Sequence, residues 1–363
     1  MNPKQEITDL TVCRAVFAAW VFIYHVDLHA QFSGWLGPAR GLIQHGYLGV
    51  DGFFMLSGLI LARVHPELAG TFHGTLRFLG KRLARIYPVH LAVIIILAVL
   101  FLTGLGLGFV PRDPQRFTAT SLIENLLLIQ GWGFSETLAW NYPSWSVSTE
   151  WAGYLAFPFL WFFLGSWRPI IPGQIILICM TSLGFIAFIS GHGLNLTYAG
   201  ALLRFFPEFI IGMATIRLVP INADYAPAKW LTIIGFAAAL AGAAFRLDIM
   251  AVLGLWLVLS ALAMNNDAER PPIFGKAVLP RFLGRLSYAF YMSFGTIELI
   301  LAQLFRQEGW DPAGEKLLYM AAMTILTLAL ALILHVFVEI PCRRLGDKLL
   351  TLREPLAVTS VRL

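Results

Sequence analysis

Ten apolar runs, each long enough to cross a bilayer, constrain this chain more than any other feature, because such a segment has few stable alternatives to a membrane helix. They fall at about 10–29, 47–64, 86–109, 151–165, 170–190, 200–219, 230–245, 247–264, 283–305 and 317–338. Mean hydropathy is +0.72, and 13% of the 363 residues are charged, where soluble domains carry about 25%. The runs are continuous rather than alternating, which excludes an outer-membrane β-barrel. The expectation is an all-α polytopic bundle of about ten membrane helices. No linker, repeat or low-complexity tract divides it, so residues 1–363 are read as one domain.

Positive charge sets the orientation. Of the 26 Lys and Arg residues, Arg14 and Arg204 are left within the membrane. Six lie on the face opposite the N-terminus: Arg40, Arg112, Arg116, Arg246, Arg306 and Lys316. The remaining eighteen share the face of the N-terminus, which places both termini in the cytoplasm. The formal charge of +5 is therefore a topology signal. Nucleic acid is not an expected partner, because the basic residues form no aromatic-interleaved stripe. No small-residue cleavage site follows the first run, so it reads as an uncleaved span. Cys13, Cys179 and Cys342 are too few and too scattered for a disulfide framework.

Within the first run stand Arg14 and His25. An ionisable group at membrane depth costs roughly 2.5 kcal/mol or more, which makes it a functional candidate. Eleven residues at about 100° each return the two to within about 20° on one helix face, separated by roughly 16 Å. A snorkelling arginine and a carbonyl-satisfied histidine are the plain alternative. In the second run, Asp51 and Ser57 are polar groups among glycines, where helix packing explains the glycines but not the carboxylate. Arg82 and Arg85 stand one turn apart at the start of the third span; guanidinium forks there suit phosphate, or anchor the topology. The segment from Tyr142 to Trp151 brings Trp145 and Ser146 as candidates and ends on Glu150, a carboxylate able to orient a histidine or to favour a helix N-terminus. Arg204 and Glu208 at i and i+4 read as an internal ion pair.

Other signals are weak. His25, Asp27 and His29 resemble a metal cluster, but i and i+4 histidines without a third convergent ligand or a following Glu motif make a poor zinc site, so no metal is expected. There is no phosphate-binding glycine loop and no nucleophile elbow.

Taken together, Arg14 and His25, Gly49-Val-Asp-Gly-Phe-Phe-Met-Leu-Ser-Gly58, Lys81-Arg-Leu-Ala-Arg-Ile-Tyr-Pro88, Trp145-Ser-Val-Ser-Thr-Glu150, Glu208-Phe-Ile-Ile-Gly-Met213, Leu283-Gly-Arg-Leu-Ser-Tyr-Ala-Phe-Tyr291 and Glu339-Ile-Pro341 resemble, in order, the acyltransferase type 3 family of integral membrane acyltransferases. The resemblance implies transfer of an acyl group, commonly acetyl from cytoplasmic acetyl-CoA, to a hydroxyl of a carbohydrate or lipid-linked saccharide. It also implies a multi-pass protein of the bacterial inner membrane. By motif, His25 inherits the essential histidine, Arg14 its paired arginine, Glu150 the acidic member, and Arg82 with Arg85 the basic cluster. Where family members often carry a histidine, this chain has Phe294.

Residues and resemblance converge on one expected mechanism. Arginines hold the CoA phosphates, the pantetheine arm enters the bundle, and His25 acts as general base with Glu150 fixing its tautomer. A covalent acyl-histidine or acyl-Ser57 intermediate fits the same residues. If the arm follows the first span, Ala18 and Phe22 should line its passage. A transporter or flippase would instead use Arg14, His25, Asp51 and Glu150 as substrate or proton-coupling sites. A sensor that retains the bundle without catalysis is a third reading, prompted by Phe294.

Overall fold

The computed structural model describes residues 8–65, 72–108, 113–134, 139–165, 170–218, 225–264, 272–275 and 277–351. Lys4, Arg112, Arg168, Arg270, Lys276, Arg353 and Arg362, seven of the charges used for orientation, lie outside the described residues. Among the described residues the regular structure is entirely helical. In chain order the helices are α1 (Thr8–Ala30), α2 (Gly49–Val64), α3 (Phe72–Gly106), the short α4 (Ala119–Leu126), α5 (Trp145–Gly165), α6 (Ile170–Ser190), α7 (Ala201–Leu218), α8 (Tyr225–Ala244), α9 (Asp248–Met264), α10 (Val278–Glu308), α11 (Lys316–Leu334) and α12 (Ile340–Thr351).

Every apolar run is a helix, yet length and composition support seven spans among the described residues. The other three expected spans are α5, α7 and the 17-residue α9. The first turns of α5 carry Ser146, Ser148, Thr149 and Glu150, and α7 carries Arg204, Glu208 and Arg217, which lowers the apolar character of both helices, although α5 exposes Phe159 and Phe162 and α7 exposes Leu203. Several helices of bilayer length make this a multi-pass membrane protein.

Two apolar cores meet along α1, α2 and α7. One gathers α3, α5, α10 and α11, and the other gathers α6, α8 and α9. At the α2–α7 crossing a Cβ on Gly58 would overlap the Phe209 carbonyl, and one on Gly212 would overlap that of Met55. Backbone therefore lies on backbone, the contact that holds membrane helices where no hydrophobic force distinguishes protein from lipid. A π-helical turn at His335–Glu339 joins α11 to α12, and α12 returns along α3. All three cysteines are free, as expected.

The crossing also explains Asp51. Its carboxylate is fully buried and takes two hydrogen bonds from the Arg204 guanidinium, Nε at 3.1 Å and a shorter one from Nη2. Arg204 further donates to the Tyr47 and Leu196 carbonyls at 3.0 and 3.3 Å. Glu208, expected as its partner, stands 4.0 Å from Nε. Asp51 is thus held in a buried ion pair with Arg204. The Trp145 ring covers the same guanidinium at 5.7 Å.

Candidate active site

Five helices enclose a chamber with a cavity volume of about 70 Å³. Arg14 comes from α1, Ser57 from α2, Arg82 and Arg85 from α3, Ser146, Glu150 and Tyr154 from α5, and Ser287, Tyr288 and Tyr291 from α10. Six of the residues singled out in the sequence, remote in the chain, therefore meet in one space. Arg82 is caged between the Phe78 and Tyr154 rings at 5.5 and 5.8 Å and donates to His65 Nε2 at 2.8 Å. Burial, reinforced by Arg82 and Lys81, lowers the His65 pKa to about 4, so the imidazole stays neutral and can accept that bond. Arg14 Nε is 3.3 Å from Ser287 Oγ. Arg85 makes no hydrogen bond or ion pair with any described residue. Glu150 Oε1 accepts from Ser57 Oγ and from Tyr154 Oη, both at 2.7 Å. Three guanidinium groups and one carboxylate line the chamber, and Glu339 lies within electrostatic reach of Arg14, so positive charge predominates there and favours an anionic occupant.

His25 does not line this chamber. It belongs to a second cluster toward the other end of α1, where Glu298 of α10 and Tyr142 replace the expected Glu150. Tyr142 Oη donates a short hydrogen bond to Glu298 Oε2 and lies 2.9 Å from His25 Nδ1. The phenol has one proton and directs it at the carboxylate, so its oxygen accepts from His25, and Nδ1 carries the hydrogen. Nε2 then bears the lone pair, and it has no hydrogen-bond partner among the described residues. Glu298 Oε1 also meets His29 Nε2 at 2.9 Å. Side-chain exposure rises along this chain from 12% at Glu298 and 17% at His25 to 33% at His29, so the cluster is half open on its own side.

Local sequence explains how Tyr142 arrives there. The turn Tyr142–Ser144 precedes α5, with Pro143 at its start. A Cβ on Gly295 would stand 2.6 Å from Pro143 Cδ, so only glycine lets this turn lie flat on α10. Asn141 Nδ2 then donates to the Met292 carbonyl at 3.1 Å, and Tyr142 points at Glu298, one turn beyond Gly295.

Sequence reasoning missed Glu298, Tyr142 and Tyr291. Glu298 was findable: it is a lone carboxylate in the apolar stretch Ile297-Glu-Leu-Ile-Leu301, subject to the same cost that marks Arg14 and His25. Ala18 and Phe22, expected along the donor path, do not line the chamber; Ala18 is buried and Phe22 packs on the Phe290 and Phe294 rings. Among the described residues no group of His, Cys, Asp and Glu could hold a metal.

A polar chamber and a separate histidine cluster thus lie among the membrane helices. Comparison with known proteins gives the chemistry. The model of the acyltransferase domain matches residues 7–336, and the chain belongs to the acyltransferase type 3 family. It is 28% identical to acyltransferase MdmB of Streptomyces mycarofaciens over 369 aligned positions, covering 94% of this chain and 92% of that protein. A second relative, protein 2 in the picA locus of Rhizobium radiobacter, is 30% identical over 161 residues, 42% of this chain and 77% of its own length. No solved structure matches the chain.

Proposed function

We propose that this protein is an O-acyltransferase of the bacterial inner membrane that moves an acyl group, acetyl in the simplest case, from cytoplasmic acyl-CoA to a hydroxyl of a carbohydrate or lipid-linked saccharide. The observation that carries the reading is the pairing of an arginine-rich chamber with a separate histidine whose Nε2 is free. Arg14, Arg82 and Arg85 hold the donor's phosphates at the mouth, which faces the cytoplasm. On α2 the chamber runs from Leu61 to Val50, eleven residues or roughly 16 Å, of the order of the pantetheine arm. Ser57, Glu150 and Ser146 supply polar partners along it.

At the far end His25 Nε2 removes the proton of the acceptor hydroxyl as its oxygen attacks the thioester carbonyl. The tetrahedral oxyanion collapses, the carbon–sulfur bond breaks, and the imidazolium returns the proton to the leaving sulfur, giving an ester and free CoA. Glu298, acting through Tyr142, keeps the hydrogen on Nδ1 and offsets the transient positive charge. Glu150 serves the donor, which reassigns the acidic role inferred from the motif. The transporter reading loses support because Asp51 is committed to Arg204.

The test is acyl transfer by the purified protein in nanodiscs with radiolabelled acetyl-CoA and a membrane extract of the host as acceptor. Label in the glycan or glycolipid fraction, lost in His25→Ala, supports the reading; label transport without ester formation overturns it.

A further inference from the structure

The donor chamber and His25 are not continuous. The deepest chamber residues on α10 and α5 are Tyr291 and Ser146, whose hydroxyls are 2.9 Å apart. One turn further along α10 is Phe294, fully buried. Its ring lies 4.8 Å from the His25 imidazole at an interplanar angle of 34°, and 5.4 Å from the Tyr291 ring, edge to face. Tyr142 and Phe22 close its other sides at 6.3 Å each. On the α10 side the Tyr291 and Phe294 rings therefore stand between the chamber and the imidazole.

We propose that Phe294 is the acyl-selecting residue of this enzyme: with Tyr291 it forms an aromatic partition that admits a short acyl group to His25 and turns back longer ones. This rests on the acyl-CoA reading above. The physical argument is one of volume and polarity. A packed aromatic contact has no void to receive extra methylenes, and enlarging such a site costs strained rotamers. An acetyl group adds only a methyl beyond the carbonyl, and the displacement it demands is small. A butyryl or hexanoyl tail has to occupy the space now filled by the Phe294 ring. No hydrogen bond ties that ring down, whereas Tyr291 is latched to Ser146. Phe294 is the side chain whose size decides the outcome.

The experiment measures the affinity of the purified protein in nanodiscs for CoA and for the unreactive thioethers S-ethyl-, S-butyl- and S-hexyl-CoA. Wild type should bind CoA and S-ethyl-CoA alike and lose affinity with each longer tail. Phe294→Ala should bind S-butyl- and S-hexyl-CoA at least about tenfold more tightly than wild type, since a methylene lodged in an apolar pocket is worth roughly 10–200-fold, with CoA affinity unchanged. Phe294→Leu, which preserves most of the packing, should give an intermediate profile and stands in if the alanine variant does not fold. An identical length profile in wild type and variants, or an equal change for all four ligands, overturns the proposal and leaves Phe294 a packing residue. Absence of CoA binding by wild type is a different failure: it removes the donor reading, and the selection argument with it.

Discussion

The two polar regions of this molecule are built on opposite principles. In the chamber, positive charge predominates: Arg14, Arg82 and Arg85 line it with one carboxylate, Glu150, and Glu339 is in electrostatic reach of Arg14. In the His25 cluster, direction is fixed, because each donor has one acceptor from Nδ1 through Tyr142 to Glu298. Uncompensated charge attracts a ligand but does not orient it finely; a one-way hydrogen-bond chain holds a tautomer but attracts little. Under the function proposed above, the difference gives binding to one region and chemistry to the other.

The sharpest way to break this division is His25→Ala. It should reduce turnover by about 10²–10⁴-fold, the usual worth of a general base, while leaving CoA affinity in nanodiscs unchanged. Equal loss of both would merge the two regions into one site. Next in size is Glu298→Gln. The amide can still accept from Tyr142 but no longer balances an imidazolium, so kcat should fall roughly 10²-fold with the donor KM unchanged, and Glu150→Gln should show the reverse pattern. If instead Glu150→Gln gives the larger kcat loss, the motif-based assignment of the acidic role stands and the geometric one fails.

Arg82→Gln and Arg85→Gln address the chamber. Each removes binding shared by ground and transition states, so the KM for acetyl-CoA should rise about tenfold at little cost in kcat; a pure kcat effect would move these arginines to the chemistry. The smallest expected effect concerns His65. The folded state keeps it neutral down to about pH 4, whereas the unfolded chain protonates near pH 6.5. Between those values the unfolded state binds the extra proton, so stability falls as pH falls through this window. Thermal melts at pH 7 and pH 5 should show a larger drop for wild type than for His65→Gln, and parallel drops would argue against the neutral His65–Arg82 contact.

Legibility in the sequence followed the nature of the physical signal. Helix positions were read nearly in full, because a bilayer-length apolar run is local information. The chamber residues Arg14, Ser57, Arg82, Arg85, Ser146 and Glu150 were named because polar groups stand out against apolar surroundings. Their partnerships were not readable. Arg204 was paired with Glu208 when Asp51 makes its hydrogen bonds, and Glu150 was paired with His25 when a tyrosine and a different glutamate stand beside that imidazole. Which carboxylate meets which cation depends on helix rotation and crossing, set by close contacts such as Gly58 on Phe209 and Gly295 on Pro143. Neither leaves a pattern in the chain that a charge count detects.

The Asp51–Arg204 pair also bears on how the protein is made. The two residues are 153 positions apart, and at ~5–20 residues per second the ribosome needs roughly 8–30 s to travel between them. For that interval α2 holds a carboxylate with no guanidinium to meet it, and a lone charge at membrane depth opposes release into lipid. Helix α2 is therefore a late settler despite being an early product, waiting beside the insertion machinery until α7 emerges. Chains stalled before Arg204 should leave α2 extractable at alkaline pH, chains stalled beyond α7 should not, and Asp51→Asn should remove the difference.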